Sequence, residues 1–371
     1  MIPRVTASID LDAIRHNLAR IRQWAPDSRV MAVIKADAYG HGAVQVARAL
    51  RDLRSESDFA ARHPWEADAF AVACLEEALR LREARVYAPI VVLEGVLSLE
   101  ELRLCLHHEL QIVVHDDWQL ALLEQLPRGA RARLWIKIDT GMHRLGFEAE
   151  KIAAVHERIL ARRDWQLCGW MTHLARADET DSAATQAQID CFDAVLADRP
   201  GARTIANSAG LVAWPQARVD WVRPGLLLYG ASPLPGRTGA ELGLRPAMRL
   251  ESRVLALRDC RAGEPIGYGA IYHCERDMRI AVVTVGYADG VLRCLPNGTP
   301  FQVHGQSAPM VGRVSMDMVT IDVSAIPQTR VGDSVLLWGE GLPVEALAER
   351  AGTLSYELFC GLTQRVRRVY P

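Results

Sequence analysis

A chain of 371 residues is too long for one ordinary compact domain and points to one large domain with a smaller one beside it. Half of it is hydrophobic and 24% is charged, the balance of a globular protein, and a formal net charge of −2 gives no reason to expect nucleic acid or a membrane surface as a partner. The opening MIPRVTASIDLDAIRHNL has no apolar core of signal-peptide length, no apolar run approaches the roughly 18–20 residues of a membrane span, and the eight scattered cysteines include no CxxC pair or zinc-like cluster, so a cytoplasmic protein acting on a small molecule is expected.

Through the first 240 residues, short apolar runs alternate with segments of helical period. VMAVIK (30–35) precedes AVQVARALRDL, AFAVAC (69–74) precedes LEEALRLREA, and PIVVLEG (89–95) precedes SLEELRLCLHH. LQIVVH (110–115) precedes DDWQLALLEQL, and RLWIKID (133–139) precedes a glycine-containing loop and EAEKIAAVHERILARR. CGWMTH (168–173), RTIANS (203–208) and WVRPGLLLYG (221–230) complete the series. The runs lack polar alternation, as strands do when a parallel sheet is covered on both faces. Eight such units predict an α/β domain over residues 1–240, a (β/α)8 TIM-type barrel.

After Tyr229-Gly230 the texture changes. ASPLPGRTGAELGLRP reads as a linker, and ESRVLALRD, RIAVVTVGY, FQVHG, MVTIDV and DSVLLWG are short strands set apart by turn residues. With one helical stretch, PVEALAERAG, they predict a mainly β domain over 241–371. The polar stretch RDLRSESDFAARHPWE (51–66) reads as an exposed loop or an extended helix end, and the pair His107-His108 as a helix end.

On a barrel, chemistry sits at the carboxyl ends of the strands. Lys35 ends the first apolar run, and burying an ammonium is costly unless it is used or paired. Burial also lowers a lysine's pKa, which is how it becomes a Schiff-base nucleophile. A lysine just past the strand and reaching solvent fits the position equally well. The loops Asn207-Ser208-Ala209-Gly210 and Pro224-Gly225-Leu226 fall after the seventh and eighth strands, the usual barrel site for a phosphate, and offer a hydroxyl and backbone N–H groups. Read alone, each is also an ordinary loop.

The string AVIKADAYGHG resembles the pyridoxal-phosphate (PLP) lysine signature of the alanine racemases. KIDTGMHRLG, MTHLARADE, ANSAG, VRPGLLLYG, GYGAIY, VGYADG, GRVSMDM and a late SYE followed by RVRRVY resemble further segments of that family, in the same order and across essentially the whole chain.

The resemblance implies PLP held through Lys35 and two bases on opposite faces of the substrate Cα: Lys35 for D-alanine and Tyr268 for L-alanine. An ordinary tyrosine titrates near pH ~10, so it needs help near neutrality; His173 and Arg223 match the family's assisting network. Arg223 also matches the residue that faces the pyridine nitrogen, where a guanidinium holds its own proton and does not protonate the ring. Tyr39, Asn207, Ser208, Gly225, Leu226 and Tyr356 match cofactor contacts. Arg144 matches the substrate-carboxylate arginine, and Lys137 a lysine that carbamylation would turn from cation to anion beside it. Met316 and Asp317 match residues that reach the substrate of a partner chain. With Tyr268 and Met316 serving the partner's cofactor, the resemblance implies a homodimer with shared active sites. No metal constellation is seen.

Two rivals remain at this level. A decarboxylase on the same barrel needs one protonation and a site that destabilises the carboxylate, whereas Arg144 and Tyr268 favour racemisation. A non-catalytic PLP-binding barrel would resemble the first domain only. A racemase of broader specificity is a third alternative, within the same family.

Overall fold

The computed structural model describes residues 3–51 and 63–371, so most of the polar stretch 51–66 lies outside the described residues. The chain begins with β1 (Thr6–Ile9) and a helix, Leu11–Trp24. Asp10 caps that helix by accepting the Ala13 N–H at 2.8 Å, and Ala13, Ile14, Asn17, Leu18 and Ile21 recur at helical spacing to form its buried face.

Eight parallel strands then close into a barrel: β2 (Arg29–Val33), β3 (Ala69–Val72), β4 (Ile90–Val92), β5 (Gln111–Val114), β6 (Ala132–Lys137), β7 (Trp165–Met171), β8 (Ala202–Thr204) and β9 (Trp221–Val222). The ring is sealed by β2 against β9, Arg29 opposite Trp221 and Val30 opposite Val222. β9 is short because Arg223 is followed by Pro224, which has no N–H to continue a ladder. Phe70, Trp135, Trp170 and Met31 are buried large side chains of these strands, and the Trp135 indole N–H finds the Gln111 side-chain oxygen at 2.6 Å. His107 ends the helix Leu99–His107, with His108 its cap residue.

The second domain is built on β10 (Met248–Cys260), followed by the small hairpin β11 (Pro265–Ile266) and β12 (Tyr272–His273). β13 (Met278–Val283), β14 (Pro300–Val303), β15 (Gln306–Val311), β16 (Val319–Asp322), β17 (Ser334–Trp338) and β18 (Arg367–Val369) complete it. The sheet runs β13-β16-β15-β14-β17-β10-β1-β18, and β10 also pairs with β13, so it curls back on itself. One strand of this sheet comes from the other end of the chain. β1, inside the span 1–240 that the sequence reading assigns to the barrel, pairs antiparallel with β10 (Thr6 opposite Glu251) and parallel with β18 (Thr6 opposite Arg367).

The stretch read as a linker is fastened to both domains. Buried Asn17 donates to the carbonyls of Leu228 and Arg245 and accepts the Arg245 N–H, while the Glu345 carboxylate accepts the N–H groups of Ser232 and Gly239. Among the described residues, no helix is long and apolar enough to cross a membrane, and no group of three or more His, Cys, Asp or Glu side chains is placed to hold a metal.

Candidate active site at the barrel mouth

Five strand ends deliver the polar residues of the mouth. Lys35 follows β2, Lys137 is the last residue of β6, His173 follows β7, Ser208 follows β8, and Arg223 comes directly after β9.

Arg223 is buried and satisfied by neutral groups. It donates to Thr204 Oγ1 at 2.5 Å, to the Thr172 carbonyl at 2.5 Å and to the Ile205 carbonyl at 3.1 Å. With no carboxylate among these partners, burial pushes the guanidinium down to about 9, still charged at neutral pH. Its Nη2 lies 3.4 Å from His173 Nδ1. A guanidinium has donors only, so Nδ1 must accept, and the imidazole carries its proton on Nε2. Burial first, then the charges of Arg223, Lys137, Arg144 and Lys35, hold His173 well below its ordinary value, so the ring is neutral near pH 7.

Lys137 is buried, and burial followed by the charges of Arg223, Arg144 and Lys35 brings it down to about 8. Four cationic side chains thus converge on the mouth. Asp139, which raises Lys137, has its Oδ1 engaged by the N–H groups of Gly141, Met142 and His143, an arrangement that shapes the loop carrying Arg144. Such a cluster calls for an anion.

Hydroxyls gather where the chain leaves β8, β9 and β2, neighbouring strands of the barrel. Ser208 Oγ accepts the Gly225 N–H at 2.9 Å and the Leu227 N–H at 3.5 Å, which leaves its own proton free to donate. Leu226 opens the 3₁₀ turn Leu226–Tyr229, and the first N–H of such a turn has no partner within it. Asn207 is occupied locally, capping the helix Ser208–Ala213 through Gly210 N–H and donating to the Leu174 carbonyl. The rings of Tyr39 and Tyr356 lie 5.6 Å apart; burial raises both phenols, Tyr356 to about 12, so both keep protons to donate.

Three expected residues stand elsewhere. Tyr268 sits on a 3₁₀ turn between β11 and β12, not within a strand, and is 70% exposed; Met316 is 53% exposed. Asp317 is held by Arg365 at 2.7 Å. Within the one chain, among the described residues, no hydrogen bond or ring contact joins Tyr268 or Met316 to the barrel mouth. Sequence reasoning missed the residues that hold the others. Thr172 and Thr204 fix Arg223, and Glu77 accepts the Ala36 N–H at 2.6 Å beside Lys35. In the sequence Glu77 is only an acid in the first turn of a helix, with no mark of its partner.

Comparison with known proteins bears on this arrangement. The alanine racemase N-terminal domain model matches residues 9–233 and the C-terminal domain model residues 247–370. The chain is 46% identical over 365 residues to the alanine racemase of Aeromonas hydrophila subsp. hydrophila, and 46% identical over 366 residues to that of Pectobacterium carotovorum subsp. carotovorum, covering 98% of each chain in both cases. The solved biosynthetic alanine racemase from Pseudomonas aeruginosa superposes with a TM-score of 0.93 at 42% identity, and the alanine racemase from Acinetobacter baumannii with 0.91 at 34%, over 100% of each chain. Fold and matches together define an isomerase built of a parallel barrel and a β domain. The chain belongs to the alanine racemase family.

Proposed function

We propose that the chain interconverts L- and D-alanine with PLP as cofactor, Lys35 and Tyr268 being the two bases. The observation that carries this reading is the convergence of Lys35, Lys137, Arg223 and His173 from the strand ends, and of Arg144 from the loop after β6, on the barrel mouth. The residues fit the cofactor. A phosphate suits the proton donors Ser208, Tyr39 and Tyr356 and the Leu226 N–H, and buried Arg223 offers a donor to a pyridine nitrogen. Asn207 belongs to this set by shaping the loop that carries Ser208, and Gly225 by letting the backbone approach closely.

Bound there, PLP supplies an electron sink that makes the substrate Cα proton acidic. Lys35 Nζ takes or returns that proton on the face that serves D-alanine. The Tyr268 phenol oxygen of the partner subunit does so on the other face, taking the proton in its deprotonated form and returning it as the hydroxyl, serving L-alanine. His173, with its proton on Nε2, donates to that oxygen and stabilises it after the proton has left. Arg144 binds the substrate carboxylate, and Lys137, carbamylated, turns its charge from repelling to orienting Arg144. Met316 and Asp317 close the substrate side from the partner. The chain therefore works as a homodimer, and the exposure of Tyr268 and Met316 in one chain supports this. We place the domain boundary at 240/241, between the spans of the two family models, and the enzyme in the cytoplasm. There D-alanine serves cell-wall peptide synthesis or the degradation of L-alanine through its D-form.

The test is proton NMR of L-alanine in D2O with the PLP-loaded protein, with chiral analysis of the product. Loss of the Cα proton with D-alanine appearing is the expected result. Loss of the proton without inversion removes Tyr268 as second base, and no exchange overturns the reading.

A further inference from the structure

The residues after Lys35 hold a backbone conformation that L-amino acids avoid. Ala36, Asp37, Ala38 and Tyr39 have φ between 51° and 54°, and Gly40 follows at 75°. A run of left-handed residues persists only when its surroundings over-determine it. From the barrel, Glu77 accepts the Ala36 N–H at 2.6 Å. From within the segment, His41 Nδ1 lies 2.8 Å from the Tyr39 carbonyl and 3.1 Å from that of Ala38. The next two carbonyls are taken by the other domain. Arg368 Nε donates to the Gly40 carbonyl at 2.7 Å, and the Tyr370 hydroxyl to the His41 carbonyl at 3.2 Å. The fit has no slack: a Cβ on Gly42 would lie 2.0 Å from Tyr370 Oη, and one on Gly40 2.4 Å from the Phe359 carbonyl oxygen.

We propose that Arg368 and Tyr370 are positioning residues for the cofactor site, clamping from the second domain the left-handed turn that presents Lys35 at one end and Tyr39 at the other. The inference rests on the reading of Lys35 and Tyr39 as cofactor residues. Neither clamp residue lies at the mouth: each acts on main-chain carbonyls behind the turn. The clamp makes attachment of the cofactor to the barrel depend on the docking of the second domain.

The test compares Tyr370→Phe and Arg368→Gln with the parent, with Arg368→Lys as the conservative variant. Tyr370→Phe removes one hydroxyl and keeps the ring, so it is the variant least exposed to misfolding. Two quantities are read: amide hydrogen exchange across residues 36–42 in the cofactor-free protein, and PLP affinity by titration of the cofactor's absorbance. The donors Gly40 N–H to Ala36 and Gly42 N–H to Asp37 report directly on the turn. Loss of one hydrogen bond should speed exchange there and weaken PLP binding by about tenfold each, with the melting temperature of the cofactor-free protein little changed. Arg368→Lys should recover part of both. Parental exchange rates in both variants overturn the clamp. Faster exchange with parental PLP affinity makes the contacts structural only and overturns the positioning role, as does weaker binding without faster exchange. Should the parent itself fail to take up PLP, it is the functional reading that falls, while the exchange measurement still decides whether the turn is clamped.

Discussion

Gly225 and Tyr39 approach so closely that a Cβ on the glycine would lie 2.4 Å from the tyrosine hydroxyl and 3.0 Å from its ring. The ring has little room to retreat, with Tyr229 at 5.0 Å and Tyr356 at 5.6 Å between centroids. Gly225→Ala should therefore displace the Tyr39 hydroxyl from the phosphate position. PLP affinity should fall by about tenfold to a hundredfold, the loss of one or two charge-assisted hydrogen bonds, with a smaller effect on melting temperature. Equilibrium titration of the cofactor against the parent checks it.

Tyr268→Phe removes the hydroxyl on one face only. Proton exchange from L-alanine in D2O should slow by about 10²–10⁴, the usual contribution of a general base, while exchange from D-alanine is much less affected. Equal rates and equal primary isotope effects with the two enantiomers would remove the two-base assignment.

Lys137 is buried among Arg223, Arg144 and Lys35 and falls to about 8, so near neutrality a fraction of it is an uncharged amine able to add carbon dioxide. Enzyme prepared and assayed free of bicarbonate should lose activity and regain it on adding bicarbonate. Lys137→Ala should be rescued by a small carboxylate or by chloride. Activity indifferent to bicarbonate, with an unmodified Lys137 mass, would count against the carbamate.

Burial lowers His41 to about 4, against an ordinary value of 6.5. The unfolded chain therefore binds a proton between these values that the folded chain refuses. The stabilisation from His41 is fully present above pH 6.5 and is lost as pH falls towards 4, at about 1.4 kcal/mol per pH unit. His173, also lowered, adds in the same direction. Denaturant melts of the parent at pH 7 and pH 5 should show this loss. His41→Phe, less stable at pH 7, should show a shallower dependence on pH.

Much of the barrel was legible because parallel strands covered on both faces must be apolar throughout: AFAVAC and PIVVLEG became β3 and β4, buried at every position. The site candidates were legible only through a series of motif segments spread along the chain, and the structure brings Lys35, Lys137, Arg144 and Arg223 within electrostatic reach of one another. The TASI strand was not legible, because four residues of mixed character gain a strand's identity only from Leu250, Glu251 and Arg367 across the fold. The exposure of Tyr268 was not legible either: Gly267 and Gly269 at φ 72° and 73° turn the chain there and leave the side chain outside. The contacts of Arg368 with Gly40 and of Tyr370 with His41 span 328 and 329 residues, a distance over which no local pattern carries information.

The placement of β1 between β10 and β18 bears on how this molecule can be dissected. Cutting at the natural-looking boundary would strand Thr6–Ile9 on the barrel fragment and leave β10 and β18 with a gap between them. A fragment of 241–371 made alone should be prone to edge pairing or aggregation, whereas one with residues 3–10 joined ahead of β10 by a short turn, Ile9 lying opposite Met248, should fill its own gap. During synthesis the same geometry makes the earliest strand wait for the latest. The barrel can close while the ribosome is still reading, but the sheet that steadies Lys35 is finished only when β18 arrives.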